Sequence, residues 1–486
     1  MITKVLARLM RLTAYRYAVA GLVLLALAAL YGAAALSRPE GPARAATGAR
    51  VPVTAALAAC PGGEALRLST LAPPAAAKPA TQGKGEIVPT RGGAPLGTPA
   101  APGTVWAKDL DKARDSFTVR AYGPLAAGLE AEQTTYWPSG GDRGLAGVRC
   151  AAPNADQWFT GPGPGAAERL DLHLSNLEAQ PATVDVTALS GEGPLDTPDG
   201  HGTLVEPYST RVVRLGEQPE GLGDIVAAAR EIAVRVRSTS GRVAASLRVR
   251  SAAGAGIDWL PPAPAPATSL VVPGVPGGSG PRRLLVAVPG GDDAQVRVRA
   301  ITARGTFTPQ GQDVLDAPAG TVTAVPLEST LAGKAAAVRI TSDRPVVAGF
   351  TAQSGADVAY GTATEPLGEA GGVVADNRFE SWLTLTAPDR AATVRVTPVG
   401  PNGSGTVQEI RVPAGRTAEA RLAGPPGAPS FGALIALGPG SGPVHAARTL
   451  ATGKGGGRSF TVLPVGPAPT EQRLPPVGDS PRSLVP

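Results

Sequence analysis

Short stretches in which apolar and polar residues alternate strictly recur along the chain, and they constrain its fold more than any other feature. Residues 232–237 (IAVRVR), 294–298 (AQVRV) and 392–396 (ATVRV) are three examples. Because successive side chains of a β-strand point to opposite faces, this alternation predicts strands with one buried and one exposed face. The stretches group into three repeats, at residues 157–264, 268–365 and 372–465.

Each repeat has a similar internal order, with about seven predicted strands and one proline bend that leads into a further strand. The bends are residues 206–210 (EPYST), 317–321 (APAGT) and 412–416 (VPAGR). This pattern predicts an all-β ectodomain of tandem immunoglobulin-like antiparallel β-sandwich modules, arranged as an elongated rod. A β-propeller is the alternative, although its blades of about 40 to 50 residues are half the size of these repeats. Within the ectodomain, helix is predicted only at residues 224–232 (DIVAAAREI).

The N-terminal segment predicts a location. Residues 17–36 (YAVAGLVLLALAALYGAAAL) carry no charge and follow four basic residues without an acid. Twenty helical residues span about 30 Å, so we expect a transmembrane helix at 17–36 and a cytoplasmic basic tail at 1–16, with the ectodomain outside the cell membrane. A cleaved signal peptide, which would release a secreted protein, is the alternative.

Two cysteines, Cys60 and Cys150, both follow the predicted membrane segment. Disulfides persist in an extracytoplasmic environment, so we expect these cysteines to pair. Closing a loop of about 91 residues would stabilise the fold by about 4 to 5 kcal/mol in the chain-entropy model. A lipobox at residues 57–60 (LAAC) is the alternative, but more than twenty residues, including basic ones, separate it from the apolar segment.

Residues 37–156 give a weaker pattern than the three repeats. We expect a short stalk followed by an irregular β-region, with a low-complexity segment at 71–104 that is rich in Pro, Ala and Gly. Such a segment buries too little apolar surface to offset its ordering entropy. A Pro-rich tail is expected at residues 466–486.

One run of residues resembles a known family. It consists of residues 144–153 (GLAGVRCAAP) followed by residues 156–161 (DQWFTG), in a chain with an N-terminal anchor and all-β repeats. This layout resembles a family of uncharacterised actinobacterial secreted or membrane-anchored proteins, known as domain of unknown function 5719. The resemblance implies a location and an all-β architecture, and it implies no catalytic residue.

Residues with catalytic or metal-binding chemistry are few. The three histidines, His173, His201 and His445, show no metal-ligand spacing, and the acids around His201 (DTPDGHG) lack the spacing of a calcium loop. His173 and His445 occupy outward positions of alternating strands, which predicts solvated imidazoles. No G-x-S-x-G motif and no phosphate-binding loop occur. We therefore expect no catalytic residue, no metal site and no cofactor.

Two sets of side chains are candidates for binding. Arg235, Arg237, Arg248 and Arg250 alternate on two strands joined by a turn, so they could line one face and hold an anionic envelope polymer. Neutralisation of these arginines by Asp171 and Asp185 on neighbouring strands is the alternative. Tryptophans near the module edges could stack on sugars or could pack between modules; they are Trp137, Trp158, Trp259 and Trp382.

The charge distribution limits the classes of partner that the sequence predicts. The net charge of +6 arises entirely within residues 1–50, and the remaining chain is balanced. A basic N-terminus before an apolar segment is a topology signal, so we expect no nucleic-acid partner. The sequence predicts a non-enzymatic cell-envelope protein that binds or positions a protein or glycan partner. The alternatives are a glycan-binding, adhesin-like protein and an envelope hydrolase whose acids come from different modules.

Overall fold

A computed structural model describes residues 2–36, 50–74, 83–113, 115–217, 221–254, 256–309, 314–401 and 403–474. The chain divides into two compact units, Met1–Val51 with Gln472–Pro486, and Pro52–Glu471. Parts of the predicted stalk, low-complexity segment and C-terminal tail lie outside the described residues, at 37–49, 75–82 and 475–486.

The first unit contains one long helix, Ile2–Leu36, which includes the apolar residues 17–36. Among the helices of the described residues, none has the length and apolar character that crossing a membrane requires. The short strands Arg50–Pro52 and Glu471–Arg473 pair as a two-stranded sheet.

The second unit is all-β and antiparallel, as the alternation predicts, and contains four modules. The N-module contains the strands Ala55–Cys60, Gly63–Leu71, Lys84–Pro89, Trp106–Ala113, Phe117–Tyr122, Glu130–Trp137 and Gly144–Arg149. Module 1 contains Asp156–Pro162, Ala167–Asn176, Ala182–Ser190, Ser209–Leu215, Glu231–Ser240, Ala244–Ser251 and Ile257–Leu260. Module 2 contains Ala267–Val275, Arg282–Ala287, Ala294–Thr302, Val322–Pro326, Ala336–Ser354 and Asp357–Thr362. Module 3 contains Gly372–Val374, Glu380–Ala387, Ala392–Gly400, Arg416–Arg421, Gly432–Leu437, His445–Thr452 and Ser459–Val465.

Shorter elements connect these principal strands. The short strands are Pro194–Leu195, Thr203–Val205, Gly305–Phe307, Leu315–Ala317, Gly403–Ser404 and Gln408–Val412. The short helices are Gly123–Leu125, Pro198–Gly200, Gly223–Ile225, Ala252–Gly254, Glu328–Leu331 and Gly455–Gly457. The helix predicted at residues 224–232 is therefore wrong: only one 3₁₀ turn forms, and Glu231 already begins a strand.

All four modules share one strand order. The first, fifth and third strands form one sheet, and the fourth, second, sixth and seventh strands form the other. In module 2 the fifth and sixth strands are the two halves of Ala336–Ser354, which passes from one sheet into the other. The N-module, which we expected to be irregular, thus has the same order as the repeats. Its pattern is weaker because its third strand lies inside the Pro/Ala/Gly-rich segment and its sixth strand is polar.

A separate hydrophobic cluster fills the space between the two sheets of each module. In module 1, Val184 and Val186 of the third strand and Leu170 and Leu172 of the second strand belong to one buried cluster. Comparable clusters fill modules 2 and 3. The cluster of the N-module is the smallest of the four among the described residues, and it includes Cys60.

The modules form a closed circuit, whereas the predicted rod would place each module only beside its neighbours in sequence. The seventh strands contact one another in the order N-module, module 1, module 2, module 3 and back to the N-module. We call this contact region of the four seventh strands the hub. Every module therefore meets at least two others, and the first and last modules are neighbours.

Candidate ligand-binding cavity

The disulfide joins Cys60 to Cys150, which confirms the predicted pairing. Cys60 ends the first strand of the N-module, and Cys150 directly follows its seventh strand. The bond therefore links the beginning and the end of the module with the smallest core.

A cavity of about 530 Å³ lies where the N-module meets module 1. The N-module contributes Pro61, Gly62, Gly63, Glu64, Arg91, Asp115, Ser116, Gln133, Thr135, Trp137 and Asp142, and module 1 contributes His173, Thr210, Val212, Arg248, Ile257 and Trp259. Its volume is in the range of small-molecule sites, and its lining combines aromatic, charged and hydroxyl side chains.

Two tryptophans and a histidine form the aromatic part of the lining. Trp259 is buried, and Trp137 packs partly buried against the same apolar cluster. The His173 ring lies 5.3 Å from the Trp259 ring, measured between centroids. Burial lowers the pKa of His173 to about 4, so the imidazole is neutral near neutral pH. His173 points outward from its sheet into this cavity, where it is half-buried against Trp259 and not fully solvated as we expected.

The polar part of the lining holds the two modules together. Asp142 of the N-module accepts a hydrogen bond from Arg248 of module 1 at 3.3 Å and also pairs with Arg250. The hydroxyls of Ser116 and Thr210 are 2.5 Å apart across the same junction. Glu64, Asp115 and Arg91 are exposed lining residues, which leaves charged groups of both signs available to a ligand.

The four arginines proposed as one binding face lie on different sheets. Arg235 and Arg237 belong to the fifth strand of module 1, whereas Arg248 and Arg250 belong to its sixth strand in the opposite sheet. The turn between these strands crosses from one sheet to the other, so alternation cannot bring all four to one surface.

Most of these arginines have carboxylate partners, but these partners are not the predicted Asp171 and Asp185. Arg235 makes two hydrogen bonds to Asp156, at 2.9 and 2.6 Å, while Arg248 and Arg250 pair with Asp142. Asp171 pairs instead with Arg169 and Arg214. Asp185 lies 3.4 Å from His201.

The remaining tryptophans lie at other places in the fold. Trp158 is buried in the junction between modules 1 and 2, and the Arg235 guanidinium lies 5.3 Å from its ring centroid. Trp382 is half-buried in module 3. Of the four tryptophans proposed as sugar platforms, the structure thus brings two, Trp137 and Trp259, into one cavity.

The other histidines have local partners. His445 is buried, so the solvated imidazole that we expected there is wrong. Its Nδ1 lies 2.9 Å from the Thr364 carbonyl oxygen, and burial lowers its pKa to about 4. His201 is exposed, and its hydrogen bond with Asp196 raises its pKa. Across the described ranges, no group of three His, Cys, Asp or Glu residues is arranged to hold a metal ion.

Two fully buried carboxylates in the hub escaped the sequence analysis. Asp258 of module 1 accepts hydrogen bonds from the Gly147 amide at 3.1 Å and from the Thr461 hydroxyl at 3.0 Å. Asp357 of module 2 accepts bonds from the Phe460 amide at 2.8 Å and from the Leu145 amide. Each carboxylate therefore connects its own module to the N-module and to module 3.

Burial changes the titration of both hub carboxylates. It raises the pKa of Asp357 to about 7 and raises that of Asp258 well above its ordinary value. The hydrogen bonds from neighbouring strands oppose this shift without cancelling it. A sequence signal existed, because each aspartate lies at the start of a short apolar strand, in residues 257–260 (IDWL) and 357–360 (DVAY).

The fold and the cavity together define a disulfide-linked all-β protein whose four modules share one strand order. The chain belongs to a family of unknown function (DUF5719), whose model matches residues 105–423. This match confirms the family resemblance, while an actinobacterial origin and a membrane location stay predictions.

Two further comparisons add little to this assignment. A comparison with curated proteins gives no match. One solved structure, described as "Crystal structure of tetra-tandem repeat in extending region of large adhesion protein", is 11% identical and covers 80% of this chain and 93% of its own. Its TM-score is 0.10, so this likeness carries no structural argument.

Proposed function

We propose that the protein is a non-enzymatic, extracytoplasmic binding protein that holds a glycan segment in the cavity between the N-module and module 1. The observation that supports this most is the combination of Trp137, Trp259 and neutral His173 with charged and hydroxyl side chains around about 530 Å³. Aromatic faces match the apolar faces of sugar rings, and polar side chains match their hydroxyls.

The proposed location rests on two features of the chain. A disulfide persists where the environment is oxidising, and Cys60 and Cys150 form one. The uncharged residues 17–36 after a basic tail would direct the chain across the cell membrane, either as an anchor or as a cleaved signal.

The modules are proposed to be immunoglobulin-like β-sandwiches in size and in their two-sheet construction. Their strand order is their own: here the seventh strand extends the sheet that contains the second, fourth and sixth strands. In immunoglobulin domains the third, sixth and seventh strands share a sheet. The term immunoglobulin-like thus describes the two-sheet construction of the modules better than it describes their strand order.

Titration of the full chain with chito-oligosaccharides and with purified wall polysaccharide tests the binding proposal. Replacing the half-buried Trp137 by alanine should weaken binding about fivefold or more, because a lost aromatic contact is worth about 1 kcal/mol. Trp382→Ala is the matched control, since this half-buried tryptophan lies outside the cavity. Equal losses in both variants, or binding no better than that of an unrelated β-sandwich protein, would reject the proposal.

A further inference from the structure

A second cavity, of about 390 Å³, lies on the outer face of module 2 where module 3 borders it. Three arginines line it, Arg297, Arg299 and Arg339, together with Ile301, Thr306, Thr341 and Pro388. No acidic side chain belongs to this lining. We call it the arginine cleft.

The strand register places like charges opposite each other in the arginine cleft. Arg299 of the third strand is the direct cross-strand partner of Arg339 of the fifth strand, and Arg297 is the partner of Thr341. Directly opposed residues have Cα atoms about 5 Å apart, and like charges in that position destabilise a sheet. The pair Arg299–Arg339 therefore has a cost unless an anion offsets it.

Carboxylates of the protein offset only part of this charge. Arg339 donates a hydrogen bond to Asp389 of module 3 at 2.6 Å. Within the described residues, the guanidinium groups of Arg297 and Arg299 have no ion-pair or hydrogen-bond partner. Some other strand arginines are paired, as Arg235 is with Asp156 and Arg250 with Asp142. The arginine cleft thus retains two uncompensated guanidinium groups.

We propose that the arginine cleft binds a phosphate-bearing polyanion. A guanidinium group presents a planar fork of donors that matches phosphate oxygens, and a tetrahedral phosphate can accept from two forks at once, here those of Arg299 and Arg339. Arg297 and Arg299 lie on the same face at positions i and i+2, about 6.6 Å apart along the strand. A chain with successive phosphate groups can therefore reach both.

Calorimetric titration of the full chain with sodium polyphosphate, inorganic phosphate and polyglutamate at low salt tests this site. Polyphosphate should bind most tightly, and Arg297→Ala/Arg299→Ala should weaken its binding at least tenfold. Arg411→Ala is the control for loss of charge, because this side chain is 86% exposed on module 3 and does not line the cleft. Unchanged binding by the double variant, an equal loss in the control, or equal binding of polyglutamate would overturn the proposal.

A stability measurement supplies an independent readout without any ligand. Arg299→Gln removes the like-charge pair, so it should leave Tm unchanged or raise it by about 1 °C in a phosphate-free buffer. Polyphosphate should raise the Tm of the unmodified chain by more than that of the variant. A lower Tm of Arg299→Gln without ligand would assign Arg299 a structural role and overturn the proposal.

Discussion

Two junctions between modules of the circuit differ in the charged groups that they bury. Modules 1 and 2, which are adjacent in sequence, meet through a buried apolar cluster that includes Trp158, Leu285 and Val347. Module 3 and the N-module, which are far apart in sequence, also share buried apolar clusters, but they add buried charged groups. Arg448 of module 3 is fully buried and donates a hydrogen bond to Glu132 of the N-module at 2.7 Å.

The charged junction extends beyond this pair. Glu132 also accepts a bond from the Asp376 amide, and Asp376 in turn accepts one from the Thr134 hydroxyl at 2.7 Å. Burial raises the pKa of Glu132, and the attraction of Arg448 opposes that shift.

Apolar surfaces associate without regard to exact register, whereas a buried ion pair is costly in every arrangement except the matched one. We infer that the contact closing the circuit is selective, while the contact between successive modules needs only shape and apolarity.

The largest effect should come from the N-module, which closes the circuit with the smallest core. Cys60→Ala/Cys150→Ala should lower the free energy of unfolding by about 4 to 5 kcal/mol, because the unfolded chain regains the entropy of a loop of about 91 residues. Denaturant unfolding followed by tryptophan fluorescence measures this loss. Reductant should cause the same loss in the unmodified chain and leave the variant unaffected. Equal stability of the variant and the unmodified chain without reductant would contradict the prediction.

The next effect concerns the charged junction. Arg448→Met should cost about 3 to 5 kcal/mol, since it leaves the Glu132 carboxylate buried without its cation. Arg448→Met/Glu132→Leu should recover part of that loss, because neither charge then remains. Denaturant unfolding curves of the two variants measure both losses. A double variant that is less stable than the single one would show that the unpaired Glu132 carboxylate is not the cause of the loss.

At the apolar junction, Leu285→Ala should cost about 2 to 4 kcal/mol, because the 1% exposed side chain leaves a cavity. Unlike the loss at Arg448, this loss should not change with salt or pH. Leu204→Ala, at a 43% exposed position, is the control and should change stability by less than about 0.5 kcal/mol. A strong salt dependence of the Leu285→Ala loss would remove the distinction between the junctions.

The smallest effect, when it is expressed per pH unit, is a pH dependence of stability that arises in the hub. The raised pKa of Asp357 means that the folded chain keeps a proton that the unfolded chain releases between about pH 4 and pH 7. The free energy of unfolding should therefore fall as pH rises through this window, by at most about 1.4 kcal/mol per pH unit, and level off above about pH 7.

Asp357→Asn tests this dependence because the amide oxygen can still accept from Phe460 and does not titrate. The variant should show a flatter pH profile. Asp258 remains in both proteins, but the Asp357 charge contributes to its raised pKa, so the difference between the profiles reports Asp357 together with this coupling. Identical profiles of the two proteins would refute the role of Asp357.

The sequence predicted the strands of modules 1 to 3 because their outward faces are polar and their inward faces are apolar. Module 2 shows the clearest case, with Ala294, Val296 and Val298 buried between exposed residues. This pattern is local, so it can be recognised without knowing what the strand packs against.

The N-module and the hub could not be predicted in this way. The sixth strand of the N-module, Glu130–Trp137, buries Glu132 and Thr134 because module 3 supplies their partners, more than 240 residues away. His445 likewise was expected to be solvated, yet it is buried beside Thr364 of module 2. Alternation reports which face of a strand is apolar, and it does not report what covers the polar face.

The closed circuit also brings the two ends of the β-unit together. The Val53 amide donates a hydrogen bond to the Thr470 carbonyl at 2.9 Å, and the Gly128 amide donates one to the Pro469 carbonyl at 3.0 Å. A circularly permuted chain that starts at Ala267, runs through module 3 into the N-module and ends at Pro264 would therefore keep every strand pairing. The order in which the modules are synthesised can thus be changed without changing which modules contact each other.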